Sequence, residues 1–459
     1  MESTVETKPA LEVVPSAKSV FDEYHPPPTD LIDDCVHCGF CLPTCPTYVL
    51  WGEEMDSPRG RIYLMKIGTE GGSEMTDTYV NHFDKCLGCM ACVTACPSGV
   101  QYDKLIEATR SQIERNYRRS LPDKLFRRML FELFPHPKRL RLLAAPLWLY
   151  QVSGLRWLIR HSGILNLLPA RLGAMESLLP PMTFSGLRSK VPRRMSPALG
   201  TPRRRVGLLL GCVQRIFFAD VNAATVRVLT AEGCEVISPP EQGCCGALMV
   251  HAGQERDALA LARRTIDVFE QADVDTVVIN AAGCGSNVRE YGWLLRDDPA
   301  YAERAMRFSA KCVDISELLA ELEPRAPRHP LPLKVAYHDA CHLQHAQGVR
   351  AQPRQVLQTI PELEIVEIHE ADICCGSAGI YNMVEPEAAQ QLADRKVQNV
   401  LKTGADVLAS SNPGCLLQIV SGLERAGHSL PTVHMIELID ASMRGVLPVA
   451  LQKHAATRP

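Results

Sequence analysis

From residue 205 onward, apolar and polar positions follow two alternating rhythms. Short apolar runs, RVGLLLGC (205–212), VDTVVINAAGC (274–284), KVAYHDAC (334–341) and GADVLASSNPGC (404–415), read as buried strands. Amphipathic stretches such as 255–271 lie between them, with apolar residues three and four apart. Strand–helix alternation of this kind predicts parallel α/β domains. The pattern also repeats at a spacing of about 130 residues. RVGLLLGC matches KVAYHDAC, QGCCG matches DICCG, VDTVVINAAGC matches GADVLASSNPGC, and VDISELL matches VHMIELI. A repeat this long means two similar domains, 206–330 and 331–459, not a solenoid.

Upstream the rhythm is helical. Residues 57–66 (SPRGRIYLMK) and 102–119 read as helices within a unit spanning 30–119, and 120–205 reads as a helical linker. Residues 1–29, polar and carrying Pro26, Pro27 and Pro28, read as a disordered or loosely draped arm.

Charge changes the picture in one place. Net charge is −3, which offers no general argument for a nucleic-acid partner. Residues 136–205, however, hold thirteen Lys and Arg against the single acid Glu176, about +12 against −15 for the rest. With Trp148 and Trp157, this basic apolar stretch suits an anionic membrane interface or a partner surface. It equally suits core helices with a basic outer face. No apolar run reaches the roughly 18–20 residues of a membrane span; the nearest, 142–155, is interrupted by Gln151 and Ser153. The first thirty residues lack the pattern of a signal peptide. Eighteen cysteines without an export signal point to reduced, metal-binding thiols in the cytoplasm.

Eight of those cysteines form two copies of C-x2-C-x2-C-x3-C-P: Cys35, Cys38, Cys41, Cys45 with Pro46, and Cys86, Cys89, Cys92, Cys96 with Pro97. This is the run of bacterial two-cluster ferredoxins, in which the fourth cysteine ligates the other cluster. The spacing therefore assigns Cys35, Cys38, Cys41 and Cys96 to one [4Fe–4S] centre, and Cys86, Cys89, Cys92 and Cys45 to a second. Zinc also binds C-x2-C, but it needs neither the crossed fourth ligand nor its proline. The separation of the two runs favours a helical version of the ferredoxin fold. The whole is thus expected to be an α+β multidomain chain: a mainly helical two-cluster ferredoxin-like domain, then two repeated α/β cysteine-rich (CCG) domains.

In the first repeat Cys212, Cys244–Cys245 and Cys284 are separated by 31 and 38 residues; in the second Cys341, Cys374–Cys375 and Cys415 are separated by 32 and 39. Each set follows strand ends, where parallel sheets gather ligands. Four thiols could hold a further cluster or a zinc ion, or act as a redox dithiol. Buried structural thiols are the remaining reading, one that matched duplicate spacing does not explain. Cys234 and Cys312 fit neither set and read as core. His338, His342 and His345 flank Cys341 and could ligate metal, relay a proton, or only satisfy local hydrogen bonds. Arg59 and Arg61 could tune a cluster or form surface salt bridges. There is no G-x-G-x-x-G after a strand, no H-E-x-x-H and no serine triad, so hydride removal from a substrate calls for flavin on a partner.

CVHCGFCLPTCPTY, SPRGRIYLMK, DKCLGCMACVTACPSGVQY and two CCG repeats, in that order, resemble the glycolate oxidase iron–sulfur subunit family over nearly the whole chain beyond the arm. The resemblance implies a complex with two flavin-domain subunits carrying FAD. That complex would oxidise glycolate to glyoxylate, and D-lactate as well, and pass electrons towards quinone or another membrane acceptor. It places the chain in the cytoplasm or peripherally on the cytoplasmic face of the inner membrane. The motifs are shared with the iron–sulfur subunits of lactate-utilisation and anaerobic glycerol-3-phosphate dehydrogenase complexes. They are also shared with heterodisulfide reductase, whose repeats end in C-x-x-C. Here Asn287 and Gln418 stand where the fifth thiol of each set would be. That departure weighs against thiol–disulfide reductase chemistry, the main competing activity; a redox sensor with purely structural clusters is the third.

Overall fold

The computed structural model describes residues 18–180, 182, 191–197 and 200–452. The N-terminal unit is helical, with helices at Thr29–Asp33, Pro46–Trp51, Pro58–Thr69, Asp77–Asp84, Ala91–Ala95 and Tyr102–Asn116. They close on a core that includes Met65, Phe83, Leu105 and Ile106, all fully buried. Local chemistry explains the Pro-Arg-Gly-Arg segment. Ser57 caps its helix by accepting a bond from the Gly60 amide at 3.0 Å, and Pro58 takes a first-turn position whose missing N–H costs nothing. Gly60 is required because a Cβ there would stand 2.0 Å from the Glu54 carbonyl oxygen.

The expected arm needs correction over its described part; residues 1–17 lie outside the described residues. Residues 18–28 are docked on the helical unit. Phe21 is buried in its core. Gln112 and Arg115 reach back to Asp22 and Tyr24, with Arg115 also stacked over the Tyr24 ring. One aromatic anchor and two backbone-reading side chains outweigh the polar composition.

The linker forms helices Leu121–Leu133, Pro137–Val152, Leu155–His161 and Ala170–Ser177, the second of them continuing through Pro146. It is not wholly helical: Arg194–Met195 forms an edge strand, β1. The remaining strands are β2 (Arg205–Leu209), β3 (Glu235–Ile237), β4 (Thr276–Ile279), β5 (Cys312–Asp314), β6 (Leu333–His338), β7 (Leu363–Glu367), β8 (Val407–Ser410) and β9 (Thr432–His434).

They build two sheets of matching topology, β1-β3-β2-β4-β5 and β7-β6-β8-β9, parallel except for β1. The reversal of strand order falls between β2 and β4, and between β6 and β8. Crevices that bind ligands open at this point in parallel sheets. The repeats also interlock. Helix Ala219–Ala231, after β2, packs on Met435–Arg444, after β9, while Ile315–Glu321, after β5, packs on Ala351–Leu357, after β6. One continuous core runs from Val206 and Val226 through Val335 and Tyr337 to Ile439. Matching capping boxes, Asp314 with Glu317 and His434 with Glu437, start the last helix of each repeat.

Candidate functional site

The two N-terminal cysteine runs share one backbone trace. His37 and Gly39 in the first, and Gly88 and Met90 in the second, are all left-handed, with φ of 54°, 88°, 62° and 62°. Left-handed residues at alternate positions turn successive amides inward, building a concavity that suits an anionic group. The Gly88 amide donates to Cys86 Sγ at 3.4 Å. One cavity is lined by Cys35, Cys38, Cys41 and Cys96 and also touched by Cys92, and a second by Cys45, Cys86, Cys89 and Cys92. The fold therefore brings together each foursome expected from the spacing, including the crossed fourth cysteines. A donor set made of thiols, with inward amides and no carboxylate among the lining side chains, fits an iron–sulfur cluster in each place.

The second cavity has a buried polar frame that the sequence did not disclose. Arg61, read from the sequence as either a cluster-tuning residue or a surface salt-bridge partner, is 1% exposed. Its guanidinium donates to the His82 carbonyl, to Thr47 Oγ1 at 3.2 Å and to Asp56 Oδ1 at 3.5 Å. Asp56 is further held by His82 Nδ1 at 2.9 Å and Lys85 Nζ at 3.0 Å. Arg110 donates to the carbonyls of Cys86, Phe83 and His251. Burial opposes ionisation of Cys86, but Arg61 and Arg110 outweigh it and hold its pKa below the ordinary thiol value. Burial instead pushes Cys89 and Cys92 well up, and Cys41 up to about 11. The cation is thus aimed at one side of the second site. Arg59, by contrast, is half-buried and paired with Glu54 at 2.6 Å, beside the first cavity.

In the repeats, Cys212 and Cys341 follow β2 and β6, Cys284 and Cys415 sit in the first turns of the helices after β4 and β8, and the CCG pairs follow β3 and β7. Gly246 and Gly376 have φ of 88° and 89°, and a Cβ on Gly376 would stand 2.6 Å from the Ala389 oxygen, so only glycine allows this turn. Within each set the thiols interact in series, Cys212 with Cys244, Cys245 and Cys284, and Cys341 with Cys374, Cys375 and Cys415. Cys341 Sγ lies 3.9 Å from Cys374 Sγ. Cys234 and Cys312 are core residues of the first repeat, the latter donating to the Phe308 carbonyl.

The two sets differ in surroundings. Cys341 and Cys374 share one apolar cluster with Leu87, Cys89 and Ala91 of the ferredoxin-like unit. Their counterparts Cys212 and Cys244 are not in that cluster, while Cys245 with Cys284 and Cys375 with Cys415 lie in the internal cores of their own repeats. Of the three histidines, His342 links Cys341 Sγ (3.4 Å) to His251 Nε2 (3.0 Å), and His345 bonds Thr94 Oγ1 at 2.7 Å. Burial lowers the pKa of His342 to about 4, so it is neutral. His338, 1% exposed, lies with Cys375 and Cys415 so that their ligand atoms fall within 4.8 Å of one another. His251 and Arg110, which tie the first repeat to the ferredoxin-like unit, were not singled out from the sequence. Neither sits in a motif; their role comes from domain packing.

Comparisons with known proteins match the same three regions. A family described as a 4Fe-4S dicluster domain matches residues 31–100, and the cysteine-rich (CCG) domain matches 206–289 and 335–420. A family described as the glycolate oxidase iron–sulfur subunit linker region matches 122–179. The chain is 43% identical to the probable glycolate oxidase iron–sulfur subunit of Bacillus subtilis (strain 168), over 88% of this chain and 93% of that one. It is 37% identical to the glycolate oxidase iron–sulfur subunit of Escherichia coli (strain K12), over 89% and 93%. It is 31% identical to a lactate utilization protein A from an Exiguobacterium strain, over 52% of this chain and 98% of that one. Among solved structures, a hypothetical protein from Helicobacter pylori shares the fold, with a TM-score of 0.55 at 12% identity over 86% of this chain and 69% of that one.

Proposed function

The chain belongs to the glycolate oxidase iron–sulfur subunit family, and on that premise we propose that it is the electron conduit of a flavin-dependent glycolate dehydrogenase. In this reading the complex oxidises glycolate to glyoxylate, and D-lactate as well, on a partner that carries FAD. This chain receives the electrons one at a time and passes them towards quinone. Two flavin-domain subunits complete the assembly. Cys35, Cys38, Cys41 and Cys96 would hold one [4Fe–4S] cluster, and Cys86, Cys89, Cys92 and Cys45 the other; bound there, such clusters supply one-electron carriers. The chain's own contribution is to orient the thiols, exclude water, and set Arg61 beside Cys86.

One observation carries the reading: two four-thiol cavities stand side by side, and the second opens against a further thiol set, Cys341 and Cys374 beside Cys89. A linear series of donors suits conduction better than a fold staple. It also singles out the second repeat, not the first, as the next station.

No described helix is long and apolar enough to cross a membrane. Peripheral attachment through the linker is supported by exposed Leu142, Leu149, Trp157 and Leu167 in the basic segment.

The test uses the complex purified without air. Glycolate, D-lactate, L-lactate and glycerol 3-phosphate are added in turn while the iron–sulfur absorbance is followed. Prompt bleaching by glycolate is expected. Bleaching only by another donor moves the chain to the matching relative, and none from a complex with intact flavin and clusters overturns the conduit.

A further inference from the structure

We propose that the second cysteine-rich repeat holds an iron–sulfur centre of mixed ligation, in which His338 supplies a fifth donor beside Cys341, Cys374, Cys375 and Cys415. The inference rests on the reading of the chain as an iron–sulfur conduit.

The repeat itself supplies a control. RVGLLLGC and KVAYHDAC align without a gap, so His338, the last residue of β6, occupies the position of Leu209, the last residue of β2. A leucine suits that place, which is a core position in the first repeat. An imidazole does not, unless something uses its nitrogens. Neither ring nitrogen of His338 has a hydrogen-bond partner among the described residues. An unpartnered buried polar group costs about 1–3 kcal/mol. Here the ring lies with Cys375 and Cys415, within 4.8 Å ligand atom to ligand atom, all three buried. A neutral imidazole with a free lone pair beside thiols is a metal ligand in waiting.

A second substitution follows the first. Gly246 packs on Ala258 and Gly376 on Ala389, which fixes the register of the following helices. That register puts Lys396 where the first repeat has Thr265. Lys396 is 2% exposed, donates to the Glu370 carbonyl at 2.6 Å, and interacts electrostatically with Cys374, Cys375 and Cys415. Four thiolates gathered in a dry interior need a counter-charge, and only this repeat buries one at that position.

The donor set decides the class of metal. Thiolates with imidazole and no carboxylate select zinc or iron–sulfur. Zinc in a closed site takes four ligands, whereas this repeat offers five donors: His338, Cys375 and Cys415 gathered within 4.8 Å, and the adjoining pair Cys341 and Cys374. The set also abuts Cys89. The position of the missing fifth thiol is accounted for: Gln418 is committed to the Ala389 carbonyl and Asn382. The fifth donor arrives instead from the neighbouring strand end. Imidazole in place of thiolate raises a cluster's potential, so this centre is more easily reduced than an all-cysteine one in the same pocket.

The complex is purified without air, and its iron, zinc and paramagnetic centres are measured. We expect iron beyond that of two cubane clusters and a third signal with nitrogen hyperfine coupling in pulsed EPR. His338→Cys should keep the iron, abolish the coupling and lower that centre's midpoint potential. His338→Leu, which restores the first repeat's residue, should lose the third signal and leave the two N-terminal ones unchanged. Persistence of the coupling in His338→Cys overturns the proposal. So does a wild-type site that holds zinc, or no metal, while both N-terminal signals are intact. Loss of all three signals from the wild type would overturn the underlying conduit reading as well.

Discussion

Arg61 offers a direct test of how the fold sets the electronics of its second N-terminal site. Replacing it with glutamine removes a cation that is 1% exposed and lines the cavity of Cys45, Cys86, Cys89 and Cys92. At a separation of ~6 Å and an effective dielectric of ~20, a unit charge interacts with an added electron by about 3 kcal/mol. Asp56 stays behind but keeps Lys85 and His82 as partners, so it adds little new negative field. With tenfold in equilibrium equal to about 59 mV for one electron, the midpoint potential should fall by roughly 120 mV. The sign follows from the charge: the reduced cluster is more negative and loses its stabilising cation. Truncation also leaves buried partners unpaired, at about 3–5 kcal/mol of folding stability. Arg61→Lys separates the two effects. It keeps the charge and most of the potential but loses the bond to the His82 carbonyl, so its thermal midpoint should fall while its redox midpoint barely moves. The assay is an EPR-monitored redox titration of the anaerobic complex. A glutamine variant whose two N-terminal potentials both stay within about 20 mV of wild type, or rise, would refute the electrostatic argument.

Other outcomes can be set beside it. Cys45→Ser should weaken the centre associated with Cys86, Cys89 and Cys92 and spare that of its own run, with Cys96→Ser doing the converse; iron content and EPR of each variant check the crossing. Gly376→Ala should cost roughly 1–3 kcal/mol or more, because left-handed strain adds to the 2.6 Å approach of Ala389. Gly348→Ala, with φ of 69° and open space around it, should cost only about 1 kcal/mol; chemical denaturation of the two variants compares them. Burial raises the pKa of Glu107 to about 8, so the folded state holds its proton more tightly than the unfolded chain does. Its stabilising effect is full below the unfolded value near 4.5 and is lost as pH rises towards 8. Glu107→Gln should therefore flatten the fall in melting temperature between those pH values, and an unchanged slope would contradict the assignment.

Much of the architecture was legible because cysteine punctuates it. The 130-residue duplication, the helical ferredoxin-like unit and the cysteines that line each N-terminal cavity could be read from spacing, since backbone turns at thiol runs leave regular intervals. What stayed hidden depends on packing. Arg61 sits on an amphipathic helix among polar neighbours, and nothing in PRGR says which face meets the Asp56 turn; only the glycine before it hints at close approach. The arm looked unstructured by composition, yet Phe21 is buried in the helical core and anchors it, and Pro27 is buried too. The linker's basic excess overstates its field, because Glu176 holds both Arg156 and Arg160, and Arg171 pairs with Asp123. His338 was visible beside Cys341, but its missing partners are a property of the folded interior.

The seam between the ferredoxin-like helix and the first repeat bears on timing. A Cβ at Gly253 would stand 2.3 Å from the Arg110 carbonyl oxygen, and the Arg110 side chain returns to the His251 carbonyl. Backbone meets backbone there, with no side chain between to act as a bearing. Cys89 meanwhile rests directly on the second repeat. A unit wedged against both halves of an interlocked pair has no hinge on which to swing its thiols towards or away from Cys341. On the conduit reading proposed above, hopping along this chain should therefore be ungated. Its rate depends on fixed spacing and driving force, and thickening the solvent with sucrose should slow the encounter with external acceptors but not the internal transfer.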